Sequence, residues 1–214
     1  MDRLMGIYNK LYRHYGPQHW WPGDTRFEIV IGAILTQNTS WSNVEKAIVN
    51  MKPYLEPEIL HRMDVNRLAE MIKPSGFFNV KANRIRNFLD WFSGKGYSFS
   101  RLMEMDVEEL RKELLGINGV GRETADSIIL YGLGKPVFVI DAYTRRLFGR
   151  LGFDMPDDYD DVRVIFENRL DRHEGLFNEY HALIVRHSKE CCRKKPDCAN
   201  CILASDCAAA AEKY

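Results

Sequence analysis

No stretch of the 214-residue chain approaches the roughly 20 consecutive apolar residues of a membrane-spanning helix. The longest apolar run, Ile29 to Leu35, suits a buried helix instead. Net charge is missing too, because 30 Lys and Arg balance 30 Asp and Glu. That balance excludes a protein coated in positive potential and leaves any nucleic-acid contact to local basic clusters. Period-two alternation is almost absent, so sheets are not expected. The opening MDRLMGIYNK has neither a continuous apolar core nor a small-residue cleavage pattern, so no secretory signal is expected and the cytoplasm is the default compartment. Internal repeats are also lacking, and low complexity is confined to Ala208 to Ala211.

What the sequence does have is 45% hydrophobic content, enough for a substantial core in one large domain or two small ones. Apolar residues recur at spacings of three and four, as in Leu4, Ile7, Leu11 and in Leu102, Met105, Leu110, Leu114. The class is therefore all-α. Helix boundaries fall at Asp24-Thr25 before Phe27, Thr39-Ser40 before Trp41, Asp64 before Leu68, Gly76 after Ile72 and Asp106 before Leu110. About ten helices follow from this punctuation. Val137-Phe138-Val139-Ile140 reads as an extended crossover between helices.

Four of the five cysteines, Cys191, Cys198, Cys201 and Cys207, lie at spacings x6, x2 and x5. Without a secretory signal, that density points to metal before disulfide. Four thiolates hold either zinc or a [4Fe–4S] cluster, and the single close C-x2-C pair favours the cluster over zinc. Cys192 reads as a small buried apolar residue. Arg193, Lys194 and Lys195 sit between the first two ligands, so a metal would fix a basic loop suited to DNA. On charge alone, the two basic clusters, Arg111 to Arg150 and Arg186 to Lys195, read as solvated faces.

In GINGVGRETADSIILYG, Gly116, Gly119 and Gly121 precede a helical run from Arg122 to Tyr131. A tight glycine turn between helices is either a plain connector or a phosphate grip, in which free N–H groups and a helix N-terminus approach the DNA backbone. Asp141 follows at the start of the next helix. There it is either an N-cap or a carboxylate facing a reacting centre.

The hairpin INGVGRETA, the aspartate that follows it and the C-x6-C-x2-C-x5-C tail resemble, together and in order, the helix-hairpin-helix DNA glycosylases of the endonuclease III superfamily. The resemblance covers nearly the whole chain. It implies a two-domain all-α fold, with a six-helix barrel domain over 24–135 and a discontinuous iron–sulfur domain from 1–23 and 136–214. Double-stranded DNA would be held across the cleft between them by a protein expected to be monomeric. It further implies that Asp141 is catalytic and that Gly119, Gly121 and Arg122 grip phosphate. Gln37 in LTQNTS, with Asn38 beside it, would fill the gap left by a flipped base. Cys191, Cys198, Cys201 and Cys207 would hold the [4Fe–4S] cluster.

The chain departs from the bifunctional members at Glu123, where they carry a lysine that attacks the sugar. A carboxylate forms no Schiff base, so hydrolysis without strand nicking is expected. Asn118 stands where a proline is common. WWPGDTRFE, QNTSW, KPSGFFNVKANRI and GRETADSIILY resemble the 3-methyladenine DNA glycosylases of this type, in which the aromatics line the base pocket. Carried over by position, Trp20, Trp21, Trp41, Glu123 and Lys189 would line it here, although each tryptophan alone is equally readable as packing. An alkylated purine cation suits stacked aromatics. Two alternatives stay open: a glycosylase for mismatched uracil or thymine or for oxidised bases, and a catalytically silent cluster-containing DNA-binding module. The six histidines show no paired metal spacing and read as surface or core residues, with His187 the exception closest to the cysteines.

Overall fold

The apolar spacing resolves into thirteen α-helices among the described residues of the computed structural model, which describes residues 2–211. Helix of all types accounts for 67% of the described residues, and no strand occurs among them. In chain order the helices are α1 (Arg3–Tyr15), α2 (Arg26–Leu35), α3 (Trp41–Met51), α4 (Pro57–Arg62), α5 (Val65–Met71), α6 (Phe78–Gly94) and α7 (Phe99–Glu104). They continue with α8 (Val107–Leu115), α9 (Arg122–Ser127), α10 (Ala142–Arg150), α11 (Tyr159–Arg169), α12 (Glu174–Glu190) and α13 (Ala208–Ala211). The number exceeds the ten expected because α4, α7 and α13 are too short to display a period. The chain divides into two units, one of Trp21–Lys135 and one of Met1–Trp20 with Pro136–Tyr214.

The Trp21–Lys135 unit is organised around α2. Phe27 and every residue from Val30 to Leu35 are buried, and the helix packs against α3, α6, α9 and the π-helical turn Ile128–Gly132 that continues α9. Side-chain caps start α2, α5 and α8 where the punctuation placed them, whereas α3 begins after Ser40 without a side-chain cap bond. Thr25 accepts from the Glu28 N–H at 3.1 Å, and the Asp64 and Asp106 carboxylates accept from the first-turn amides of α5 and α8. Each such cap contributes about 1 kcal/mol. At the other end of α2, Lys81 is 1% exposed and donates to the Leu35 and Ser75 carbonyls at 2.8 and 2.6 Å. Burial lowers its pKa to about 8.

The second unit joins the two chain ends. Here α12 packs on α1 and α10, and Tyr180 donates to the Leu4 carbonyl at 2.7 Å. The apolar run 137–140 is extended and buried throughout. Its backbone needs no strand partner, because Glu167 accepts from the Phe138 N–H and the Tyr159 hydroxyl accepts from the Ile140 N–H, at 3.0 and 3.1 Å. Phe138 stacks on Phe166 and meets Phe177 and Tyr180 edge-on, which makes the crossover the centre of an aromatic core.

Candidate DNA-binding and catalytic site

The glycine turn is clamped from both sides. Ile117 and Val120 bury their side chains beneath it, and the Val120 N–H bonds the Ile117 carbonyl at 3.0 Å. Gly119 has φ +94°, and a Cβ there would lie 2.2 Å from Cγ of Arg84, so both backbone and space require glycine. Gly121 is the N-cap of α9 and supplies no capping side chain. Two turn carbonyls are pinned by side chains: Asn87 donates to Asn118 O at 2.9 Å and Gln37 Nε2 to Gly119 O at 3.1 Å. Gln37 also donates to Thr124 Oγ1 at 2.8 Å and accepts from Arg84. Arg122 and Glu123 are exposed at the first turn of α9. Behind the turn, the Arg111 guanidinium meets the fully buried Asp126 carboxylate through Nε at 2.6 Å and Nη2 at 3.3 Å, tying α8 to α9.

Two residues adopt left-handed backbone, Asn38 beside Gln37 at φ +53° and Phe77 at the N-cap of α6 at φ +47°. Phe77 is 69% exposed, although it is a large aromatic. The tryptophans behave differently from one another. Trp21 meets Trp41 edge-on with centroids 5.2 Å apart and lies 4.8 Å from the Tyr131 ring. A Cβ at Gly32 would come within 3.3 Å of Trp21 Nε1, so that glycine makes room for the indole. Trp41 donates to Glu45 at 2.7 Å and borders a 420 Å³ pocket that also includes Asp24, Glu28 and Lys52. Trp20 is half-buried, and Lys189 is exposed on the last turn of α12.

Asp141 caps α10 and does more than cap it. Its Oδ1 accepts both from the Thr144 N–H at 2.7 Å and from the Thr144 hydroxyl at 2.9 Å, while Oδ2 faces His181 Nε2 at 3.5 Å. Burial pushes the carboxyl pKa up, but the neighbouring His181 and the Thr144 hydrogen bonds outweigh it, and the pKa ends below the ordinary value. The carboxylate is thus ionised at neutral pH. His181 had no signal in the sequence beyond its type.

The cysteine-rich loop encloses a cavity of about 290 Å³ lined by Cys191, Cys192, Cys198, Cys201 and Cys207 together with His187. Nitrogen and sulfur donors of His187, Cys191 and Cys201 lie within 4.8 Å of one another. His187 Nδ1 bonds the Tyr15 hydroxyl at 2.9 Å, and burial lowers its pKa to about 4. Burial and the neighbouring Cys201 push the Cys191 thiol up to about 12, and burial raises Cys201. Crowded, buried thiols of this kind ionise readily only against a metal. Cys192 is buried as expected, and its sulfur also accepts from Arg150 at 3.3 Å. Arg150 donates to the Arg193 and Lys194 carbonyls at 2.7 and 3.1 Å, and Arg146 to Cys192 O at 2.9 Å, so α10 holds the loop that exposes Arg193, Lys194 and Lys195.

No helix among the described residues is long and apolar enough to cross a membrane. Residues 31–172 match the HhH-GPD superfamily base excision DNA repair protein family. A protein of Methanocaldococcus jannaschii, provisionally named a DNA repair glycosylase, is 49% identical over 96% of both chains. The solved structure of an H. pylori 3-methyladenine DNA glycosylase bound to 1,N6-ethenoadenine has a TM-score of 0.78 at 28% identity, covering 89% of this chain and 98% of that one. A non-covalent endonuclease III–DNA complex reaches 0.82 at 20% identity over 100% and 99% of the two chains, a likeness of fold. The chain belongs to the HhH-GPD superfamily of base excision DNA repair proteins and is one of its DNA glycosylases.

Proposed function

We propose that the protein is a monofunctional glycosylase that excises N-alkylated purines, such as 3-methyladenine or 7-methylguanine, from double-stranded DNA. The observation that carries this reading is Glu123, an exposed carboxylate in the first turn after the hairpin where a Schiff-base mechanism requires an amine. The hairpin at Gly119, Gly121 and Arg122 holds a backbone phosphate, with Arg193, Lys194 and Lys195 as further phosphate contacts. Gln37 and Asn38 fill the gap left by the extruded nucleotide. The exposed Phe77 joins them as an apolar wedge, a residue that sequence reasoning did not single out. Trp20, Trp21, Trp41, Glu123 and Lys189 receive the base; the electron-rich indole faces favour a cationic ring by about 0.5–2 kcal/mol.

Alkylation at a ring nitrogen makes the base a cation that departs as a neutral purine. Asp141 stabilises the positive charge growing on the sugar, orients the attacking water and accepts its proton. The products are the free base and an abasic site with the strand intact. Resemblance to the H. pylori 3-methyladenine enzyme supports the choice of substrate. Incubation with methylated duplex is expected to release an alkylated purine, and borohydride treatment with an abasic duplex is expected to trap no covalent adduct. An adduct would assign another lysine as nucleophile, and silence on every alkylated base would remove the substrate assignment.

The donor set fits a [4Fe–4S] cluster on Cys191, Cys198, Cys201 and Cys207, because all four thiols line one cavity and that cavity is roomier than a single ion needs. When bound, the cluster would cross-link the loop and fix its basic residues. Cys201→Ser is expected to lose the visible iron–sulfur absorption and to weaken duplex binding. Stoichiometric zinc without iron in the purified wild-type protein would overturn the assignment.

A further inference from the structure

The Asp141 carboxylate has two oxygens with different environments. Oδ1 is held twice by Thr144, at 2.7 and 2.9 Å, which fixes the side chain on the first turn of α10. The second oxygen faces His181 Nε2 at 3.5 Å. His181 is buried in the middle of α12, between Tyr180 and Ala182, and α12 packs directly on α10. We propose that His181 is a positioning residue, holding Asp141 Oδ2 in the plane and direction that the sugar charge and the attacking water require. This rests on the reading that Asp141 is the catalytic carboxylate.

The physical argument has three steps. Both oxygens of a carboxylate turn together about its terminal bond, which has a broad torsional profile, and the Thr144 bonds, made to one oxygen only, restrain that rotation from one end. A group on an adjacent, packed helix that faces the other oxygen restrains the same rotation from the second end. The separation of 3.5 Å exceeds the ordinary range for a nitrogen–oxygen hydrogen bond, and catalytic bonds of this kind are often long before substrate arrives and tighten with it. The groups facing the Asp141 carboxylate are His181 from α12 and the neutral Thr144 donors from α10. Of these groups His181 is the titratable one.

The test compares His181→Gln, which keeps a donor of similar reach, with His181→Leu, which removes it. His181→Leu is expected to lower kcat for release of 7-methylguanine from methylated duplex by roughly 10- to 100-fold, the scale of a misplaced catalytic group. KM, and binding to a duplex carrying a stable abasic-site analogue, stay unchanged. Its acid limb moves to higher pH, because the carboxylate loses the neighbour that favours its charged form. His181→Gln is expected to recover most of kcat while keeping the shifted acid limb. Wild-type kcat and pH profile in His181→Leu, or a loss confined to KM, would overturn the proposal. Should His181→Leu fail to fold, the same judgement falls on the acid limb of His181→Gln. Asp141→Asn separates the two levels: full release by that variant defeats the catalytic reading itself. An inert Asp141→Asn beside an unaffected His181→Leu defeats the positioning role alone.

Discussion

Asp141→Asn is expected to reduce base release by about 10²- to 10⁴-fold, the range produced by removing one electrostatic or acid–base participant. The substitution is unusually clean. Asparagine caps helices about as well as aspartate, so the amide oxygen can keep the Oδ1 bonds to Thr144 while the negative charge disappears. Folding should change little at pH 7. What remains is the attraction of the carboxylate for His181 and for the α10 N-terminus, about 0.3–1 kcal/mol for the latter. The pH dependence has a definite sign. The folded pKa lies below the ordinary value, so the Asp141 contribution to stability is present above the unfolded carboxyl pKa and is lost as pH falls through the folded one. Urea unfolding of wild type and variant should therefore converge in acid, while single-turnover release assays stay far apart at neutral pH.

The second large effect lies in the support of the hairpin. Arg111 and Asp126 form a bidentate pair with side chains 8% and 0% exposed. Removing one partner breaks a buried charge pair, at a cost of about 3–5 kcal/mol. Arg111→Met and Asp126→Leu are each expected to show that loss in denaturant unfolding. The double variant should recover much of it, because a buried pair replaced by apolar side chains is often neutral. Duplex binding should fall in the single variants even at temperatures where they remain folded, since α8 and α9 carry the turn between them. Single variants as stable as wild type would show that the pair is solvated in a way its burial denies.

The parts of this architecture legible in the sequence are those written locally. Thr25, Asp64, Asp106 and Asp141 announce helix starts because a short acceptor side chain satisfies amides two or three residues away. The glycines of the hairpin and the cysteine spacing are local in the same sense. Partners joined only by the fold were not legible. Arg84 meets Gln37, and His181 meets Asp141, across sequence gaps that no periodicity encodes. Tyr131, found beside Trp21, reads from the sequence as one more apolar position in a helix. Lys81 misleads outright, because a lysine in an amphipathic pattern predicts solvent, whereas here it is buried against the carbonyls that close α2. Phe77 misleads the other way, an aromatic expected inside and found outside on left-handed backbone.

Gln37 carries a consequence for how damage is found. In the free protein its amide is fully engaged, donating to Gly119 O and Thr124 Oγ1 and accepting from Arg84. The two neutral bonds are each worth about 0.5–1.5 kcal/mol net and the one from the Arg84 guanidinium about 1.5–3 kcal/mol. In its proposed role the amide must abandon all three before it can enter a duplex, so the probe is stowed while the protein moves along DNA. An intact base pair resists opening and offers little in return, whereas a weakened pair opens at lower cost and leaves the exchange closer to balance. Sorting of damaged from sound nucleotides would then begin at this glutamine, before any base has been tested against the aromatic pocket.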